Sequence, residues 1–154
     1  AEKASGSSTN PDKNALAPPP STSPLSPKEL ADPVTYARKA LTMDKNSAKA
    51  IRLLKGPARA GDSEASRLLG TVYYRAKEFE QARTWFQSSA KGGDVEAQRF
   101  LGMIFFLGQG VEQDYAQASH WLGKASAGGD TQAPRYLRIV EQFYKPDATT
   151  TRTP

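Results

Sequence analysis

Apolar residues in the middle of the chain recur at three- and four-residue steps, which is the period of an amphipathic helix. One such stripe consists of Ala65, Leu68, Leu69, Val72 and Tyr73, and the next consists of Ala82, Trp85, Phe86 and Ala90. No window alternates apolar and polar residues with period two, so the pattern predicts an all-helical fold without a sheet. Seven helices are predicted, near residues 34–43, 47–59, 63–76, 79–91, 95–107, 115–127 and 131–144.

The same pattern repeats along the chain. A Gly-Asp pair stands at 61–62, 93–94 and 129–130, each followed by Ala three residues after the Asp and by Leu four residues later. The Asp of each pair is a good N-cap for the helix that follows it. Each unit therefore predicts two short helices, and because one helix pair cannot bury its apolar stripe alone, successive pairs must stack.

Two glycines stand inside predicted helices, at Gly70 and Gly102. Glycine in a helix interior costs about 1 kcal/mol relative to alanine. We therefore predict that close packing against a neighbouring helix requires both of them.

Residues 93–102 (GDVEAQRFLG) and 107–118 (LGQGVEQDYAQA), followed by Trp121 and Leu122, closely resemble the Sel-1-like repeat family, a branch of the tetratricopeptide superfamily. The resemblance covers about residues 34–145. It implies a right-handed α-solenoid of about three antiparallel helix pairs with a C-terminal capping helix. The last unit departs from the family pattern, because Arg138 replaces the expected glycine and only a first helix is present.

Composition divides the chain into three parts. Residues 1–28 are predicted to form a disordered tether rich in Ser and Pro, and residues 146–154 a disordered tail, because neither has enough large apolar groups to offset its ordering entropy. Residues 29–145 are predicted to form the solenoid.

Members of the family typically hold other proteins in a concave groove lined by the first helix of each pair, as adaptors or inhibitors. The resemblance therefore implies a non-enzymatic module for protein–protein interaction. Three of the groove-facing positions, Tyr74, Phe106 and Phe143, are aromatic, a residue type enriched at binding hot spots. The predicted groove residues are Glu64, Arg67, Tyr74, Arg75, Glu96, Arg99, Met103, Phe106, Arg135 and Phe143.

Arg67, Arg99 and Arg135 occupy equivalent places in three successive units. Stacking would align them as an arginine ladder, and guanidinium groups suit the recognition of carboxylates. The predicted partner is thus a protein segment with acidic and apolar residues. The alternative is that Glu64 and Glu96, three residues earlier on the same helices, neutralise Arg67 and Arg99.

The net charge of +5 lies entirely within residues 28–59. This basic cluster would suit an acidic partner, anionic lipid or nucleic acid, but such a run is more often a solvated face. Tyr36 is its one interleaved aromatic residue, so nucleic-acid binding is not predicted. The cluster comprises Arg38, Lys39, Lys45, Lys49, Arg52, Lys55 and Arg59.

The sequence gives little support to catalysis or to a cofactor. It has no cysteine and a single histidine, His120, so it predicts no metal site. No predicted strand precedes Gly108-Gln109-Gly110, which excludes a nucleotide-binding glycine loop. A hydrolase is a remote alternative, since no convergent acid, base or nucleophile is evident.

The longest run of large apolar residues, 103–107, is far too short to cross a bilayer. The resemblance includes periplasmic and secreted bacterial proteins, and the Ser/Pro-rich tether suits a lipid anchor upstream of residue 1. We therefore expect the chain in the bacterial envelope, either in the periplasm or secreted. An immunity protein against a secreted toxin, a regulator of a peptidoglycan or polysaccharide enzyme, and an adaptor in a secretion, pilus or motility machine all remain open.

Overall fold

The computed structural model describes residues 23–144, and every regular element in this range is a helix. The helices are α1 (Pro27–Ala31), α2 (Pro33–Thr42), α3 (Ser47–Arg59), α4 (Ser63–Arg75), α5 (Phe79–Lys91), α6 (Val95–Leu107), α7 (Tyr115–Ala127) and α8 (Ala133–Phe143). The predicted all-helical fold is confirmed over this range. Most of the predicted tether and the whole predicted tail lie outside the described residues.

Helix α1 was not among the helices that the apolar pattern predicts, and it begins within the last two residues assigned to the tether. It forms because Ser26 and Glu29 make a capping box, in which the Ser26 N–H donates to the Glu29 carboxylate at 2.7 Å. Pro27 follows at the first helical position, where a missing N–H costs nothing. Glu29 also forms an ion pair with Lys49 of α3. The Lys49 ammonium, together with the Ser26 N–H and hydroxyl, lowers the pKa of Glu29 to about 2.

The predicted aspartate caps are present at the first helices of the two central units. Asp62 Oδ1 accepts a hydrogen bond from the Ala65 N–H, and Asp94 Oδ1 accepts one from the Ala97 N–H, each at 2.8 Å. A side-chain acceptor at this position satisfies one of the otherwise unpaired N–H groups of the first turn.

The last helix, α8, begins at Ala133 rather than at residue 131 as predicted. A helix capped by Asp130 would need an N–H at residue 134 for its first backbone bond, and Pro134 has none. The first bonds instead run from Arg135 and Tyr136 to the Gln132 carbonyl. Asp130 still contributes, since its Oδ1 accepts from the Gln132 and Ala133 N–H groups at 2.9 and 2.8 Å.

Consecutive helices from α2 to α8 pack against one another as the pairs α2–α3, α4–α5 and α6–α7, with α8 last. The first helices of successive pairs also touch, α4 against α6 and α6 against α8. The core is a row of three clusters along this stack, the arrangement expected of an α-solenoid. None of the described helices combines the length and apolarity that a membrane crossing requires.

The prediction that packing requires Gly70 and Gly102 is confirmed. A Cβ on Gly70 would lie 2.7 Å from the buried Phe86 ring, and one on Gly102 would lie 2.6 Å from Leu122 Cγ. At each place the first helix of a pair meets its second helix. Arg138 holds the equivalent position in α8, and it is exposed because no second helix packs there within the described chain.

Candidate partner-binding groove

The exposed face of α4, α6 and α8 is organised in rows, because equivalent positions of the three helices are 32 and then 36 residues apart in the sequence. From the N-terminal to the C-terminal ends of the helices, each row has one member from each of the three units. The rows are Glu64, Glu96 and Gln132; Arg67, Arg99 and Arg135; Thr71, Met103 and Ile139; and Arg75, Leu107 and Phe143.

Two members of the arginine row, Arg67 and Arg99, form hydrogen bonds to the following unit. Arg67 Nε donates to Asp94 Oδ2 at 3.0 Å, and Arg67 Nη1 lies 2.8 Å from Glu96 Oε2. Arg99 Nε donates to Asp130 Oδ2, also at 3.0 Å. Each of these aspartates uses its other oxygen to bond N–H groups at the start of the next helix. The arginine therefore links one unit to the helix start of the next, and we call this contact the inter-repeat clasp.

The clasp at Arg99 is the more buried of the two, with side chains that are 11% exposed for Arg99 and 8% exposed for Asp130. Partial burial raises the pKa of Asp130, but hydrogen bonds from Arg99 and from the Ala133 and Gln132 N–H groups lower it more, so that the pKa lies below its usual value. The Arg99 guanidinium also lies 4.8 Å from the centre of the Phe100 ring. The fold thus favours the charged form of Asp130.

The same-helix pairing that the sequence offered as the alternative is present in one unit. Glu96 Oε1 lies 3.7 Å from Arg99 Nη2, which is a weak contact beside the 3.0 Å bond to Asp130. Glu64 instead pairs with Arg38 of α2, a member of the basic cluster. The carboxylates of Glu64 and Glu96 therefore form their main ion pairs with arginines of neighbouring helices.

Two guanidinium groups of the predicted groove remain without a carboxylate inside the described chain. Arg75, at the C-terminal end of α4, and Arg135, in the first turn of α8, are both exposed and form no ion pair among residues 23–144. Arg135 is the third member of the arginine row, and α8 is followed by no further helix there. These two side chains are therefore exposed without a counter-charge among the described residues.

The aromatic residues predicted as anchors differ in their surroundings. Tyr74 is half-buried between units, where its ring centre lies 5.4 Å from Phe79 and 5.7 Å from Phe100. Most of its ring is therefore engaged in the fold. Phe143 is 58% exposed, so much of its side chain faces solvent in the described structure.

Phe106, Tyr115 and Phe143 form an aromatic cluster where the ends of α6 and α8 meet the start of α7. Their ring centres are 5.8 to 6.0 Å apart. Leu107, next to Phe106, is 50% exposed. Tyr115 was not among the predicted groove residues, although its place at the start of α7 matches that of Phe79 at the start of α5, where Phe79 packs on Tyr74.

Together, these rows divide the face into two parts. Toward the helix N-termini lies a charged part whose arginines are largely saturated by the clasps. Toward the C-termini of α6 and α8 lies an open apolar part, which we call the apolar band and which consists of Met103, Leu107, Ile139 and Phe143.

The remaining predicted sites lie elsewhere. Of the basic cluster, Lys49 pairs with Glu29 and Arg52 donates to the Ser23 carbonyl at 3.1 Å. His120 is exposed on α7, with its ring edge-on to Trp121 at 5.4 Å. No group of three or more His, Asp or Glu side chains within the described range is placed to hold a metal ion.

Comparison with known proteins agrees with the helical-repeat fold. The family model described as Sel1 repeat matches residues 63–94 and 95–130. Among solved structures, the chain is similar to a Sel1 repeat protein from Oxalobacter formigenes, with 28% sequence identity and a TM-score of 0.61. The similarity covers 72% of this chain and 89% of that one. A search of the curated proteins gave no match.

Proposed function

We propose that this chain binds a partner protein along the face of α4, α6 and α8, because residues 63–130 match the Sel1 repeat family, whose members generally mediate protein–protein interaction. The partner is a segment or loop that presents bulky apolar side chains together with carboxylates. The chain acts as an adaptor or inhibitor and performs no chemistry of its own.

The observation that carries this proposal is the apolar band. Leu107 and Phe143 are 50% and 58% exposed, and they lie at equivalent positions of adjacent helices. Aromatic and large aliphatic side chains that cluster on a surface are typical of protein interfaces, whose energy is concentrated in a few such anchors. A partner's apolar side chain would bury both residues and the rings of the aromatic cluster beside them.

The charges near the band support an acidic component in the partner. Arg67 and Arg99 already hold carboxylates of the fold, so they have little capacity for a second one. Arg75 and Arg135 are exposed at opposite corners of the face, and each guanidinium offers donors that suit a carboxylate. Such exposed pairs mainly speed association and set orientation, whereas the apolar contacts supply most of the affinity.

We also propose that the chain works in the bacterial envelope, in the periplasm or outside the cell. The Ser- and Pro-rich composition of residues 1–22 supports this, since it is typical of a spacer between an attachment point and a folded module. Fractionation of the source cells with an antibody to the chain tests it, and recovery with the cytoplasm would contradict it.

The groove is tested by capturing the partner from a lysate of the source cells, identifying it, and measuring its affinity for purified chain by calorimetry. The variant L107E/F143E places two charges in the apolar band and should weaken binding at least a hundredfold, as expected when central anchors are lost. The matched control T84E/S88E places two charges on exposed positions of α5 and should bind normally. Equal affinity of the two variants, with unchanged helical content, would contradict the proposed groove.

The contribution of the arginines to partner binding is measured with a single substitution. Replacing Arg67 or Arg99 with Glu would break a clasp, so a loss of binding could result from a loss of stability. Arg135→Glu changes only an exposed side chain. We expect Arg135→Glu to slow association about tenfold at low salt, with the difference shrinking as salt screens the charges. A variant that associates at the wild-type rate in low salt would show that the partner has no carboxylate at this corner.

A further inference from the structure

A second candidate site lies at the end of α6 opposite to the apolar band. It is an open cleft of ≈ 500 Å³ between the C-terminal ends of α5 and α7 and the first turn of α6. Its walls include Lys91, Val95, Trp121, Lys124 and Ala127, and none of its lining residues belongs to the rows of the groove. A cleft of this volume is in the range of small-ligand sites.

The cleft is cationic and has no internal counter-charge. Lys91 and Lys124 both line it, and none of the lining residues is acidic. Neither ammonium forms an ion pair or donates a side-chain hydrogen bond within residues 23–144. Lys124 Nζ lies 5.0 Å from the centre of the Trp121 ring, so a cation–π contact with the indole holds the ammonium at the wall of the cleft. This contact leaves the N–H donors of the Lys124 ammonium available to a ligand.

The preceding unit shows that Lys124 is not needed to build a helix pair. Trp85 of α5 corresponds to Trp121 of α7, and Ser88 corresponds to Lys124. Both tryptophans are half-buried, and the pair α4–α5 packs with serine at this place. A lysine in the last turn of α7 does favour the helix dipole. Lys91 does the same for α5, yet the fold brings the two cations to one cleft beside an apolar wall.

We propose that this cleft binds a carboxylate that is attached to an apolar group, such as the C-terminal residue of a peptide or a free aryl or alkyl carboxylic acid. The carboxylate accepts hydrogen bonds from Lys91 and Lys124, and the apolar group lies against Trp121, Val95 and Ala127. The two ammonium groups have no acidic side chain beside them, so they favour the ionised form of the ligand. The indole ring and the alkyl side chains of the wall favour a ligand whose remainder is apolar. The site is independent of partner binding in the groove.

Tryptophan fluorescence tests the proposal, with N-acetyl-phenylalanine as the probe. In the variant Trp85→Phe, Trp121 is the sole tryptophan, and a saturable change with a Kd of about 1 mM is expected. The uncharged analogue N-acetyl-phenylalanine amide should cause no saturable change. Trp121→Phe leaves only Trp85, in the unit with Ser88, and should not respond. Because Trp85 helps fill a core cluster, the Trp121 indole N–H signal in a heteronuclear NMR titration of the unaltered chain provides the same readout.

Substitutions and longer probes complete the test. Lys124→Gln should weaken binding about tenfold, and Ser88→Gln, the matched change in the preceding unit, should leave it unchanged. A peptide with phenylalanine at its free C-terminus should bind if the natural ligand is a chain end, and only the small acid should bind if it is a metabolite; both results support the site. Three outcomes would each overturn the proposal. The acid and the amide bind equally, the probe does not saturate the signal by 20 mM (about twenty times the expected Kd), or the NMR shifts are confined to α4 and α8.

Discussion

The clasp between Arg99 and Asp130 gives the sharpest quantitative prediction about how the units hold together. Arg99→Met keeps most of the side-chain length but removes the charge and the 3.0 Å hydrogen bond. A hydrogen bond that involves a charged group contributes about 1.5 to 3 kcal/mol. Asp130 keeps its two backbone N–H donors after the change, so we expect the free energy of unfolding to fall by about 2 kcal/mol, within that range.

Urea unfolding followed by circular dichroism measures this change, and the arginine row supplies its own control. Arg135→Met makes the same substitution at the equivalent position of α8, where the side chain is exposed and pairs with no described carboxylate. It should change stability by less than about 0.5 kcal/mol. A double-mutant cycle of Arg99→Met with Asp130→Asn should give a coupling energy of about 1.5 kcal/mol.

The pH dependence of the same difference has a definite sign. The folded chain lowers the pKa of Asp130 below its value in the unfolded chain, which is about 4. The stabilisation is therefore fully present above pH about 4 and is lost as the pH falls through the lower pKa of the folded state. Equal stability of the Arg99 and Arg135 variants at pH 7, or a coupling below about 0.5 kcal/mol, would refute the inter-repeat clasp.

Three further predictions concern packing and the N-terminal helix. Gly102→Ala should destabilise the chain by about 1 to 3 kcal/mol, because the new methyl group meets Leu122. In the same urea assay, Gly123→Ala should stabilise the chain by about 0.5 to 1 kcal/mol, because no neighbouring atom lies within 4 Å of the added carbon. Ser66→Ala should raise the free energy of unfolding by about 1 kcal/mol, since the buried Ser66 hydroxyl has no hydrogen-bond partner in the described chain; a loss of stability would reveal a missed partner. Glu29 should titrate near pH 2 when its carboxylate is followed by NMR. Its contribution to stability should therefore be present above pH about 4 and be lost as the pH falls toward 2. A titration midpoint near pH 4 would argue against the ion pair with Lys49.

Helix positions were accessible to sequence reasoning because local signals agree with the global fold. The Gly-Asp marks place the helix starts, and the three- and four-residue period places the buried faces. No helix was predicted at α1, because the prolines around it are typical of a tether. The signal that identifies it is the Ser26 and Glu29 capping box with Pro27 between them.

Side-chain partners were less accessible, because they depend on how units stack. Arg67 and Asp94 are 27 residues apart in the chain, and Arg99 and Asp130 are 31 apart. Recurrence at the unit period predicted that Arg67 and Arg99 lie side by side, and both contact Glu96. Their same-helix glutamates, however, are closer in sequence than their aspartate partners. The unit period predicted that the four residues of the apolar band face the groove, whereas how exposed each one is depends on the packing of the neighbouring helices.

The groove itself is tested most directly by hydrogen–deuterium exchange of the chain with and without its captured partner. We predict slower amide exchange on binding in the C-terminal halves of α6 and α8 and in the α6–α7 loop, with α5 unchanged. Protection confined to α3 and α5, with the residues around Leu107 and Phe143 exchanging as in the free chain, would contradict binding at the apolar band.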